Sequence, residues 1–145
     1  MREGLSYEEY LDRHGSLTYS SVGVSMLPLL RQGIDLFTVR KKGPEPCRPG
    51  DVVLFRRADG QPVLHRVLED RDDGYVIMGD NCVEKEYGIR DGDILGVMTG
   101  YVRAGREHSV GEPAYRAYTS FIMHTVSLRV GLKKAGARVK RCFAR

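Results

Sequence analysis

Apolar positions along the chain fall into three successive textures. Near the N-terminus Tyr7, Tyr10 and Leu11 recur at i, i+3 and i+4, the spacing of one helical face. Ser6 precedes them and Glu9 stands three residues further on, a capping box in which each side chain satisfies an orphan amide of the first turn. Gly15 supplies a left-handed stop. A short helix over 6–14 follows from this.

From Leu17 to Val102 the pattern changes to short β-type runs: Leu17–Val24, Asp35–Arg40, Asp51–Arg56, Pro62–Glu69, Tyr75–Met78 and Ile94–Val102. Between them lie Gly43-Pro44-Glu45-Pro46, Arg48-Pro49-Gly50, Ala58-Asp59-Gly60 and Asp72-Asp73-Gly74, each holding the Gly, Pro or Asp that turns require. Val52-Val53-Leu54-Phe55 is continuously apolar, as a strand covered on both faces would be. After Gly111-Glu112-Pro113 the helical period returns, with Tyr118, Phe121, Ile122, Thr125, Val126, Leu128 and Leu132 spaced for one face. The expected architecture is mainly β, a coiled or barrel-like sheet within 1–112, followed by a basic helical tail over 113–145.

Composition narrows the class. At 145 residues, 41% hydrophobic and 29% charged, the chain is long enough for one core and too apolar for disorder. Net charge is +4, from 23 Lys and Arg against 19 Asp and Glu. Eight of those cations and none of the acids fall within 113–145, so 1–112 carry 15 basic against 19 acidic side chains. A basic tail is thus joined to an acidic body. Cys47, Cys82 and Cys142 are odd in number and widely spaced, which argues against a disulfide scaffold or a structural zinc site and for a reducing compartment. No apolar leader opens the sequence, and no run approaches the ~18 apolar residues of a membrane span. A cytoplasmic or peripheral-membrane location is the expectation.

Four segments carry the candidate chemistry. The first is Val22-Gly23-Val24-Ser25-Met26-Leu27-Pro28-Leu29-Leu30 with Gly33, and the second is Gly50-Asp51-Val52-Val53-Leu54-Phe55. The third is Val63-Leu64-His65-Arg66-Val67, and the fourth Gly74-Tyr75-Val76-Ile77-Met78-Gly79-Asp80-Asn81. In order and spacing, over about Tyr19 to Val97, they resemble the signal peptidase I-like serine peptidases, a superfamily that includes the self-cleaving phage and SOS repressors. The resemblance implies the coiled β-sheet domain of that superfamily, with Ser25 as nucleophile. His65 takes the place of the general base, as in the Ser/His subtype, and Asp80 that of the third member. Glu86 falls where that subtype's later Asp sits, so Asp80 and Glu86 compete for this role. Gly23, Met26 and Pro28 are implied at the substrate and oxyanion side, and no metal or organic cofactor is implied.

The chemistry is sound on its own terms. A serine hydroxyl is a poor nucleophile until a base takes its proton, and an imidazole titrating near neutrality suits that task. A carboxylate on the other ring nitrogen fixes the tautomer, and backbone N–H groups such as that of Ser25 stabilise the oxyanion. Structural roles compete: Ser25 as a turn residue, His65 as an inward core histidine in an alternating strand, Asp80 as a turn cap. Cys82 reads as a small buried filler, and His14, His108 and His124 as surface residues.

The resemblance implies a serine endopeptidase that cleaves an extended peptide or protein substrate after small residues. Two other functions stay open: a self-cleaving, repressor-like regulator and a catalytically idle peptide-binding scaffold. Against self-cleavage, the base position holds His rather than Lys, and the Ala-Gly pairs at 104–105 and 135–136 lie downstream of Ser25. The membrane anchor that precedes the serine in signal peptidases has no counterpart in the polar residues before Ser25. Residues 113–145 offer a peripheral contact with an anionic membrane through Phe121, Ile122, Val126 and Leu128. The alternative is a helix packed onto the sheet with a solvated basic end. An acidic body without interleaved aromatics argues against nucleic acid as a partner.

Overall fold

The computed structural model describes residues 4–144; Met1 to Glu3, and Arg145 counted above in the basic tail, lie outside them. The N-terminal helix forms as expected, α1 spanning Tyr7–His14. Ser6 and Glu9 close the capping box, and Gly15 sits in the left-handed region at φ 76°. Leu11 is buried, while Arg56–Glu8 and Lys41–Asp12 ion pairs tie the outer face to the sheet.

The middle of the chain makes one antiparallel sheet of eight strands: β1 Ser16–Ser20, β2 Leu36–Lys41, β3 Val52–Arg56, β4 Pro62–Arg71, β5 Gly74–Met78, β6 Glu86–Ile89, β7 Ile94–Arg103 and β8 Arg106–Ser109. Their order is β1-β2-β7-β3-β4-β5-β6, with β8 added to β7 beyond the stretch that β3 occupies. Because side chains alternate across a strand, β3 divides its four apolar residues between two cores. Val52 and Leu54 join Leu11, Leu17, Leu30 and Val39 on one side, whereas Val53 and Phe55 join Val67, Tyr75 and Ile77 on the other. The unbroken apolar run thus has the two-sided burial it predicts.

Three expectations are corrected. The first strand ends at Ser20 rather than Val24, because the chain leaves the ladder there. Ser21 N–H donates to Asp35 C=O and receives Gly33 N–H at its own carbonyl, closing a loop over 21–35. β6 and β8 add two short strands, made of pairing more than of apolar pattern. The tail is two helices, α2 Pro113–His124 and α3 Val126–Phe143, broken where Thr125 leaves helical geometry (φ −112°, ψ 11°) and its hydroxyl donates back to Phe121 C=O.

The two helices behave differently. α2 packs on the body, burying Tyr115 and Ile122, so Ile122 is unavailable to any membrane contact. α3 buries none of its side chains and is clasped near its start, where Arg129 donates to Asp80 C=O and Lys133 to the Asn81 backbone and side-chain oxygens. No helix is long and apolar enough to cross a membrane among the described residues.

The 21–35 loop is locked from beneath. Asp35 is fully buried and accepts from the Arg31 backbone and both arms of its guanidinium, at 2.8–2.9 Å. Arg103 of β7 reaches Asp35 as well and donates to Pro28 C=O (2.7 Å) and Leu29 C=O (2.9 Å). The Arg31 hydrogen bonds, outweighing burial, together with Arg103 hold the Asp35 carboxyl far below the ordinary aspartate range, so the knot is ionised at all physiological pH.

Candidate active site

His65 lies mid-way along β4, opposite Val53 of β3, and its imidazole is buried. Its Nδ1 is 3.0 Å from Glu86 Oε2. Glu86 opens β6, whose pairing with β5 sets it opposite Ile77 and swings the carboxylate toward β4. Arg57, just past β3, donates to Glu86 through Nε (2.6 Å to Oε1) and Nη2 (3.1 Å to Oε2). Burial alone would raise the Glu86 pKa, but the hydrogen bonds and charge of Arg57, helped by His65, hold it below the ordinary glutamate range. An ionised carboxylate can only accept, so Nδ1 carries the proton and Nε2 is the free lone pair. Burial lowers the His65 pKa below its usual 6.5, and the neighbouring Glu86 offsets this only partly. The imidazole is therefore neutral at pH 7 and able to accept a proton.

Asp80 sits elsewhere. Its oxygens take a two-armed ion pair from Arg66, 2.8 Å on each arm, and the Tyr118 hydroxyl at 2.8 Å, with Arg66 and Asp80 both fully enclosed. The other side of the Arg66 guanidinium donates to Gly50 C=O and Thr119 Oγ1, between the rings of Tyr115 and Tyr118. Of the two candidate orienting acids, Glu86 meets the imidazole and Asp80 holds the fold. The Arg of the third segment and the Asp of the fourth are thus one buried pair.

Ser25 and His65 line the same open groove of about 490 Å³, together with Gly23, Met26, Phe37 and Cys82. The fit between their two segments is tight at Gly79. A Cβ there would fall 2.6 Å from the Ser25 carbonyl oxygen and 3.0 Å from His65 Cδ2, so only glycine lets the Ser25 loop and the imidazole approach this closely. Asn81 N–H donates to Ser25 C=O, and the Asn81 side chain to Val24 C=O, fixing the loop over the fourth segment. Among the described residues no direct hydrogen bond joins Ser25 Oγ to His65; Nε2 faces the Cys82 thiol at 4.0 Å. That thiol, its pKa raised by burial, is protonated.

The remaining predicted positions divide. Gly23 takes φ 78°, a left-handed conformation that glycine adopts without strain, and lies on the groove wall. Met26 forms its floor and is otherwise core. Pro28 does not line the groove: it is exposed, and only its carbonyl is engaged, by Arg103. The N–H groups of Ser25 and Met26 have no acceptor among the described residues. Arg57 was not foreseen; nothing in Arg56-Arg57 before a turn marks one arginine as a partner of a distant glutamate. No group of three His, Cys, Asp or Glu is placed to hold a metal ion among the described residues.

No protein-family model matches this chain, and no curated protein matches it in sequence.

Removing the close approach tests this arrangement. Gly79→Ala is expected to reduce the reaction of Ser25 with an active-site serine reagent at least roughly tenfold while leaving the sheet intact, since a misplacement near 1 Å costs about 10² in rate. Labelling kinetics and far-ultraviolet circular dichroism check it.

Proposed function

We propose that the protein is a serine endopeptidase of the signal peptidase I-like type, acting through Ser25, His65 and Glu86. The observation that carries this reading is the Arg57–Glu86–His65 relay, which leaves a neutral imidazole with a free Nε2 in the groove that also holds Ser25. A buried core histidine needs one satisfied hydrogen bond; it does not need an arginine-fixed carboxylate behind it and a groove in front.

In the proposed reaction an extended peptide lies in the groove with its scissile carbonyl oxygen toward the Ser25 N–H. His65 Nε2 takes the Ser25 Oγ proton as the Oγ–C bond forms, a step that requires the hydroxyl to come within hydrogen-bonding distance of the imidazole. Unliganded sites commonly show such contacts loose. The same proton then passes to the departing amine as the C–N bond breaks. Water hydrolyses the acyl-enzyme by the reverse proton path. Glu86 stabilises the imidazolium formed in each half. The family likeness of the four segments adds the expectation of small residues before the cleaved bond.

The deciding experiment combines a fluorophosphonate probe with peptide-library profiling. Wild type should be labelled and should cleave after small residues; Ser25→Ala and His65→Ala should lose both activities, and Cys82→Ala should retain them. The rate should follow deprotonation of His65, with its acidic limb centred below pH 6.5. Absence of labelling in folded wild type would favour the idle scaffold. Discrete self-generated fragments lost in Ser25→Ala would favour the self-cleaving regulator.

A further inference from the structure

α3 presents to solvent a stripe that the rest of the fold does not use. Leu128, Leu132, Val139 and Phe143 are each more than half exposed, Phe143 at 88%. At ~100° per residue they fall within about 60° of arc. Phe121, also exposed, precedes them at the end of α2. Arg129 and Lys133, which clasp the body, lie further round the helix, so the stripe is turned away from the sheet. The helix carries Arg129, Lys133, Lys134, Arg138, Lys140 and Arg141 and no acid. Its 18 residues extend about 27 Å.

We propose that α3 is an interfacial helix that binds an anionic lipid surface, laying the Leu128–Phe143 stripe among the acyl chains while its cations meet the headgroups. Charge selects this occupant. An apolar stripe of this length needs an apolar counterpart; outside α2 and α3 the other large exposed apolar residues are Val22, Val24 and Ile34 on the 21–35 loop and Tyr87 on β6, and none of them lies on a helix that would match it. A second α3 would supply one, but pairing two helices with six cations each and no acid sets like charges side by side. Nucleic acid would meet the cations and leave the stripe in water. A negatively charged bilayer satisfies both faces together.

The clasp gives this contact a direction. Arg129 and Lys133 hold α3 to Asp80 and Asn81, and Asn81 in turn holds the Ser25 loop. A membrane-bound α3 therefore tethers the Asp80–Asn81 turn, and the Ser25 loop that it holds, to the lipid surface. The inference stands without the peptidase reading, since it uses no residue of that chemistry.

Vesicle flotation tests it with the full chain. Vesicles of phosphatidylcholine with phosphatidylserine should carry the protein up, and pure phosphatidylcholine should bind at least tenfold less. Salt near 1 M, where the Debye length is about 3 Å, should release most of it. Leu132→Glu/Val139→Glu and Arg138→Glu/Arg141→Glu should each cut binding at least tenfold. As these side chains are exposed, circular dichroism and Ser25 labelling should match wild type, which separates a failure here from a failure of the peptidase reading. Three outcomes would overturn the proposal: no binding to anionic vesicles, equal binding to neutral ones, or a solution dimer broken by Leu132→Glu/Val139→Glu. Salt-sensitive binding to duplex DNA without vesicle binding would overturn it too.

Discussion

Glu86→Gln is expected to slow acylation of Ser25 by about 10²–10⁴, the range over which a positioned general base and its orienting acid act. In the proposed reaction the carboxylate fixes the proton on Nδ1 and lends negative charge to the imidazolium that forms when Nε2 accepts the serine proton. Glutamine occupies the same space but has no charge, and it can also donate, which permits the wrong tautomer. The pH profile separates this from mere loosening. Glu86 raises the His65 pKa against the effect of burial, so removing its charge moves the acidic limb of the labelling rate to lower pH. Pre-steady-state labelling of both proteins across pH 4–8 decides it, with ~6.5 as the unperturbed imidazole reference. A variant with unchanged rate and unchanged limb would remove Glu86 from the mechanism.

Asp80→Ala is expected to cost about 3–5 kcal/mol of stability, because it strands a fully buried guanidinium without its counter-charge. Against a total of about 5–15 kcal/mol for a domain, that is enough to leave much of the protein unfolded near physiological temperature. Tyr118 loses its acceptor at the same time, so the damage reaches α2. Replacing both partners with apolar residues, Arg66→Met with Asp80→Leu, should recover part of the loss by removing the stranded charge, the remainder reflecting Gly50 C=O, Thr119 and Tyr118, which lose their partners. Urea titrations of the two single variants and the double variant measure this coupling. If Asp80→Ala were as stable as wild type, the ion pair would not be the keystone that its burial suggests.

The sheet is largely legible in the sequence because each core strand carries its own signal. β3 shows a run apolar on both faces, and β4, β5 and β7 are bracketed by turn residues. β6 and β8 are four residues each, Glu-Tyr-Gly-Ile and Arg-Glu-His-Ser, with little apolar content; they become strands through the neighbours they pair with. In the site, Ser25 and His65 stand out because their segments are distinctive. The choice between Asp80 and Glu86 does not, because it depends on the register of β6 against β5 and on where Arg66 and Arg57 point. Those facts exist only in three dimensions. The tail shows the same division. Its helical period is plain, yet the break at Thr125 and the opposite fates of Ile122 and Leu128 follow from which face meets the sheet.

The buried carboxylate of Asp80 draws on four stretches of chain: its own turn, Arg66 on β4, Gly50 through that arginine, and Tyr118 and Thr119 on α2. Helix α2 and the start of α3 are therefore a buttress for the Asp80–Asn81 turn, which itself holds the Ser25 loop. Any shortened version made for crystallisation or engineering should be cut after Lys133 rather than at Pro113, just past the last strand, because trimming at the earlier point would pull the supports from beneath an interior charge.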